Sequence, residues 1–142
     1  MKYAIIYQKD NFIVMYPESK TTMGVFLAQE PYIKLSVNDT PEEIISNLFA
    51  CLEASKENIP HPEKWSDDFF LKPIGIKTNN ALHKNSLCCS VLLQNDLLEF
   101  TPTINMGAKE GFDELSEVVT ACSTEVKDVI YEYLIEAFKL CK

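Results

Sequence analysis

The stretch Thr40-Pro41-Glu42-Glu43 constrains this chain more than any other. A threonine hydroxyl at an N-cap, a proline at the first helical position and a glutamate three residues after the cap commit the backbone to a helix. The cap and the glutamate satisfy amide groups that a first turn leaves orphaned, and proline has no amide to lose there. Ile44, Ile45, Leu48 and Leu52 then recur on one face at helical spacing, widened by Phe49 and Cys51. The pattern predicts a helix over 41–56, ended by Asn58, Pro60 and Pro62. A second helix is predicted over about 124–140, with Ser123 or Thr124 as its cap. Glu125 suits its positive end and Lys139 and Lys142 its negative end. Its apolar face is Val126, Val129, Ile130, Tyr133, Leu134, Ala137 and Leu140. Two one-sided helices each need a surface to lie on.

Strands supply it. Tyr3–Tyr7 and Phe12–Tyr16 are short, rich in β-branched and aromatic residues, and separated by Gln8-Lys9-Asp10-Asn11, which reads as a hairpin closed by Pro17. Val25–Ala28 follows, then Tyr32–Val37, where Tyr32, Lys34 and Ser36 alternate with Ile33, Leu35 and Val37. Beyond the first helix, a proline-bearing connector leads to Trp65, and Ser66 is a candidate cap for a turn or two carrying Phe69 and Phe70. Ile74–Lys77 reads as a short strand and Asn79–Asn85 as a brief helix. Leu87–Gln94 and Asp96–Thr103 read as a second hairpin, Gly107 and Gly111 as a loop, and Val118–Ala121 as a last strand. The expected architecture is α/β or α+β: a mainly antiparallel or mixed sheet with two principal helices, 41–56 and 124–140, packed on it. The reading takes residues 1–142 as one domain, with no linker polar or long enough to split them and no internal repeat.

The charge balance narrows the function. Thirteen basic residues oppose twenty-one acidic ones, for a net charge of −8, and every basic residue is lysine. A chain without arginine lacks the usual bidentate clamp for phosphate and guanine edges, and a negative field repels the phosphate backbone, so direct nucleic-acid binding is disfavoured. Such a surface suits a basic protein partner. Apolar runs are too short for a membrane span, and the N-terminus lacks the apolar core and cleavage site of a secretory signal, so a cytoplasmic location is expected. Cys51, Cys88, Cys89, Cys122 and Cys141 are odd in number and irregularly spaced, which fits small buried side chains in a reducing compartment rather than a disulfide framework or zinc site.

Frames for catalysis are missing from the sequence. His61 sits between prolines and His83 in a polar stretch, neither beside a nucleophile. Gly107-Ala-Lys-Glu-Gly111 is not a phosphate loop, and no metal-ligand spacing occurs, so no catalytic, cofactor or metal residues are assigned. What remains is carboxylate patterning. Glu125, Asp128, Glu132 and Glu136 fall at spacings that line one helix face opposite the apolar one. Like charges so placed cost a helix a few tenths of a kcal/mol per pair, a cost that a basic partner would offset. Glu110, Asp113, Glu114 and Glu117 form a second cluster with Lys109 as the local counter-charge. These eight residues are the candidate partner-binding surface, with Trp65 and its aromatic neighbours the next candidate.

From Gly75 to Lys142 the chain presents Gly75-Ile-Lys77-Thr78, a short helical stretch, the strand Leu87–Gln94, the segment from Asp96 through Glu99-Phe100-Thr101-Pro102 to Gly107, then Gly111-Phe112, and a closing helix with Glu136-Ala137-Phe138 and Cys141-Lys142. This order resembles the immunity proteins of bacterial contact-dependent growth inhibition systems. The resemblance implies a non-enzymatic cytoplasmic antitoxin whose partner is the cognate toxin domain of a larger effector. A basic nuclease toxin would fit the acidic surface. Two other readings stay open: a small enzyme pairing His61 or His83 with a cysteine, and an acidic adaptor for some other basic protein.

Overall fold

A computed structural model describes residues 1–142. Its core is one eight-stranded sheet in which every strand pair is antiparallel, an α+β arrangement. In chain order the elements are β1 (Lys2–Lys9), β2 (Phe12–Lys20), β3 (Phe26–Ala28), β4 (Ile33–Ser36), α1 (Pro41–Ala54), α2 (Asn79–His83), β5 (Ser86–Gln94), β6 (Leu97–Asn105), β7 (Phe112–Glu114), β8 (Val119–Cys122) and α3 (Lys127–Leu140). The strands run β3-β2-β1-β5-β6-β7, with β4 beside β2 and β8 beside β6. α1 lies on β1 and β2, α3 lies on β5, β6 and β8, and the two helices touch each other.

Although no repeat is visible in the sequence, the two ends of the chain carry one structural plan. Each is a hairpin with a two-residue turn, Lys9 paired with Phe12 in one and Gln94 with Leu97 in the other. Each second strand then takes two short partners along its outer edge. β4 pairs with Phe12–Met15 and β8 with Leu97–Phe100, while β3 pairs with Glu18–Lys20 and β7 with Thr103–Asn105. A long helix follows in both, and the residue two past its end returns to the sheet: Lys20 N–H donates to the Lys56 carbonyl at 2.9 Å, and Asn105 N–H to that of Lys142 at 2.8 Å. The halves meet at the β1–β5 pair, where Ile5 faces its own counterpart Ser90, placing a pseudo-twofold axis through that pair. Counterparts share burial rather than identity. Ala4, Ile6, Ile13 and Met15 match Cys89, Val91, Leu98 and Phe100, all in the core beneath the helices.

The same plan corrects the expectation that Pro17 ends its strand. β2 runs through it. A residue's amide and carbonyl point to the same side of a strand, and the Pro17 carbonyl accepts from Gln29 N–H on the outer edge, between β3 and β4. The missing N–H therefore falls where that edge is interrupted and no ladder bond is lost. Pro102 in β6 repeats this, its carbonyl accepting from Leu115 N–H between β7 and β8.

Helix ends also differ from expectation. Thr40 does cap α1, its hydroxyl accepting the Glu43 N–H at 3.2 Å. The helix stops at Ala54 rather than residue 56, because buried Ser55 leaves the helical path and bonds the sheet, accepting Tyr3 N–H (2.9 Å) and donating to the Glu18 carbonyl (2.6 Å). α3 begins at Lys127, three residues later than expected: Val126 occupies the cap position and offers no side-chain bond, and Ser123 and Thr124 lie in the preceding turn. Lys72–Ile74 is a 3-10 turn closed by Gly75 at φ +94°, which excludes the predicted strand over 74–77. Ser66 caps a bend, its hydroxyl accepting Asp68 N–H, with no helix after it. α2 matches the expected brief helix and is capped by Thr78.

Candidate partner-binding groove

Side chains alternate across a strand, so each strand sends half of its residues away from the helices. On that second face Tyr7, Val14, Tyr16 and Cys88 are buried by Leu71, Ile76 and Leu82 of the connector between α1 and β5. The connector covers only one end. The rest of the face is an open groove of about 290 Å³ floored by Tyr3, Ser90, Leu92 and Thr101, with Phe26 on one wall. Tyr3 and Phe26 meet edge to face with centroids 4.8 Å apart.

Three carboxylates line this groove: Glu18 from β2, Glu99 from β6 and Glu114 from β7. The ion pairs of the protein lie elsewhere, between the N-terminus and Glu57, Lys9 and Asp10, and Lys72 and Asp68. The nearby Lys20 ammonium sits over the Phe26 ring, 5.8 Å from its centroid. Burial pushes the Glu18 carboxyl up to about 7, and the Glu114 charge adds to the effect. Glu18 therefore hovers between charged and neutral at physiological pH, and a cation placed beside it would be favoured by Coulomb attraction in a partly desolvated setting.

Glu18 also borders two adjoining hollows. One, of about 460 Å³, is walled by Phe26, Leu27, Pro62, Trp65 and Phe70. Trp65 is 59% exposed and touches His61 edge-on at 5.7 Å. The other is lined by Tyr7, Tyr16, His83, Cys88 and Phe112. His83 stacks on Phe112 at 4.4 Å and its Nδ1 donates to the Asn79 carbonyl, while its Nε2 is buried without a partner. His61 Nδ1 bonds the Thr21 hydroxyl. Neither histidine hydrogen-bonds to a cysteine or a carboxylate, and no three His, Cys, Asp or Glu residues converge as metal ligands. No helix is long and apolar enough to cross a membrane.

All eight carboxylates expected from the sequence are exposed, and Glu125 and Asp128 line one hollow beside Glu42. Asp128, Glu132 and Glu136 do share the outer face of α3, but Glu125 precedes the helix in the Cys122–Glu125 turn. Glu110 and Glu117 flank β7 in loops, and Asp113 and Glu114 point to opposite faces of that strand. Of the eight, Glu114 alone lines the groove. In the sequence its companions Glu18 and Glu99 each stand as a single acidic residue in an apolar strand. Their common signal was alternation: Glu18 keeps the phase of Val14 and Tyr16, and Glu99 that of Thr101 and Thr103.

An antiparallel sheet with helices on one face and a carboxylate-lined groove on the other defines a small α+β module. No family model and no curated protein matches the sequence. Among solved structures, the fold is similar along 99% of the chain to a protein of unknown function from Neisseria meningitidis, with a TM-score of 0.79, 18% identity and 95% of that chain covered. It is also similar along 99% of the chain to a chain of a CdiA-CT/CdiI toxin and immunity complex from Yersinia pseudotuberculosis, with a TM-score of 0.75, 17% identity and 97% of that chain covered.

Proposed function

We propose that this chain is an immunity protein: a cytoplasmic antitoxin that binds and neutralises the C-terminal toxin domain of a contact-dependent growth inhibition effector. One observation carries the reading. A groove holding three carboxylates without an internal ion pair lies on a fold that matches, end to end, a chain of a toxin and immunity complex. Carboxylates arranged in this way suit a partner that brings its own cations. A nuclease toxin has them, since its substrate is a polyanion. Aromatic side chains around the groove, Tyr3, Phe26 and Trp65, supply the apolar contacts that anchor protein interfaces, and the acidic field speeds encounter. The exposed carboxylates of α3 and of the β7 region extend the acidic surface outside the groove.

The test is to express the toxin domain encoded directly upstream of this chain's gene, with and without the chain. Rescue of growth together with stoichiometric co-purification is the expected result. Growth arrest undiminished by the chain, with no complex on gel filtration, overturns the reading.

A further inference from the structure

Cys89 and Cys141 meet where the last helix ends against the middle of the sheet. Cys89 is fully buried on β5, on the face that carries the helices, and half-buried Cys141 is the C-cap of α3. Their Sγ atoms are 3.7 Å apart, and Cys141 Sγ also lies 3.3 Å from the Cys88 carbonyl oxygen. A sulfur–sulfur bond needs about 2.05 Å, so closing the pair takes a shift of under about 2 Å shared by two side chains and a helix end next to the C-terminus. Cys88 is not a competitor, because its own sulfur lies on the opposite face of β5 among Tyr7, Tyr16 and Leu82.

The pseudo-twofold axis shows that the fold has no need of these thiols. The counterpart of Cys89 is Ala4, and the counterpart of Cys141 is Ser55, which makes the same helix-to-sheet junction with a hydroxyl. One half of the molecule therefore builds the junction without sulfur, while the other places two sulfurs in contact there.

We propose that Cys89 and Cys141 are a thiol-modification site that closes reversibly to a disulfide, tying the end of α3 to the central strand β5, with a low-molecular-weight disulfide such as oxidised glutathione as the oxidant. Cys141 reacts first. It is the more accessible sulfur, and the neighbouring Cys89 thiol, 3.7 Å away, favours its thiolate and lowers it from the usual cysteine range. Its thiolate attacks one sulfur of oxidised glutathione, forming a mixed disulfide and expelling one glutathione thiolate. The Cys89 sulfur attacks the Cys141 sulfur, its proton passes to the departing glutathione sulfur, and the second glutathione leaves as a thiol. The protein gives up two protons and two electrons, and the glutathione disulfide is reduced to two thiols. Excess reduced glutathione runs the sequence backwards.

The experiment is incubation of the folded protein with oxidised glutathione, alkylation of remaining thiols and peptide mass spectrometry. The expected product has lost two hydrogens, contains a Cys89–Cys141 peptide, melts roughly 5 °C or more above the reduced protein and reverts with dithiothreitol. Cys141→Ser and Cys89→Ala, each copying the counterpart residue of the other half of the fold, should retain the circular dichroism of the parent and lose the crosslink, while Cys88→Ala keeps it. A product carrying only glutathione adducts on Cys122 or Cys141 overturns the proposal. So does a crosslink in which Cys88 replaces Cys89, or a crosslinked protein that melts no higher than the reduced one.

Discussion

Glu18 and Thr103 are counterparts in the two halves of this molecule, each following a strand proline, Pro17 or Pro102, and each turned toward the face opposite the helices. Thr103 is buried and donates its hydroxyl to the Cys88 carbonyl at 2.7 Å. Glu18 brings a carboxylate to the equivalent place, beside a groove and without a side-chain partner, and its protonation is shifted toward neutrality. The fold accepts a small neutral residue at this position, so the carboxylate is not demanded by packing. It is where the repeated plan is broken that the molecule becomes asymmetric in charge.

The first prediction concerns stability and pH. Glu18 is raised from 4.5 to about 7 in the folded protein, so between these values the native state binds more protons than the unfolded one. Stability contributed by this group is present below about pH 4.5 and is lost as pH rises to about 7. Glu18→Gln removes the loss. Urea unfolding should find the variant more stable at pH 8 by on the order of 1–3 kcal/mol and equal to the parent near pH 4. An advantage of the same size at both pH values would assign it to packing instead.

A second prediction follows from two hydroxyls. Tyr7 and Tyr16 are buried side by side under the connector, with their Oη atoms 2.9 Å apart, and burial pushes both phenols well above the usual tyrosine range. Either single change to Phe strands the other hydroxyl and should cost about 1–2 kcal/mol. The double change should cost less than the sum, with a coupling of about 1 kcal/mol in a double-mutant cycle. Strict additivity would mean that each hydroxyl finds another partner.

Ser55 supports a third. With no exposure, its hydroxyl both accepts Tyr3 N–H and donates to the Glu18 carbonyl, stopping α1 and joining it to the sheet. Ser55→Ala leaves a buried donor and a buried acceptor, so a loss of about 2–3 kcal/mol is expected in thermal or urea unfolding. A loss under about 0.5 kcal/mol would show that water enters the junction and takes over both bonds.

What could be read along the chain was local chemistry. Thr40 announced α1 because a cap, a proline and a first-turn glutamate act within four residues, and alternation located the strands. Val126 announces nothing, having no oxygen to offer an amide, so sequence places the start of α3 three residues early and puts Glu125 on a helix it precedes. The repeat stayed hidden because core positions specify burial and volume rather than identity: Ala4 and Cys89, or Met15 and Phe100, are alike only once folded. The groove was hidden for another reason. Glu18, Glu99 and Glu114 come from three strands, and only the long-range pairing of β1 with β5 brings them to one face.

The last prediction separates the groove from the surface around it. In the proposed complex with a toxin domain, the partly desolvated charges of the groove should act on the lifetime of the complex, and the solvated charges of α3 on the rate of encounter. Glu99→Lys with Glu114→Lys is expected to weaken binding by several kcal/mol, mainly through faster dissociation. Asp128→Lys with Glu132→Lys should slow association by about tenfold or less at low salt and leave the dissociation rate nearly unchanged. Both pairs should fold: Glu114, Asp128 and Glu132 are exposed, where charge contacts are worth at most about 1 kcal/mol each, and half-buried Glu99 borders an open groove into which a longer side chain can extend. Raising salt from 0.1 M to 1 M shortens the Debye length from about 10 Å to about 3 Å, which should slow association of the parent and abolish the effect of the α3 pair. Binding should also weaken as pH falls from 8 to 6, because Glu18 takes up a proton over that interval and loses its attraction for a cation. Glu18→Gln should flatten that pH dependence. If instead the α3 pair sets the dissociation rate and the groove pair leaves it untouched, the toxin sits on the helix face and the groove is a feature of the free protein alone.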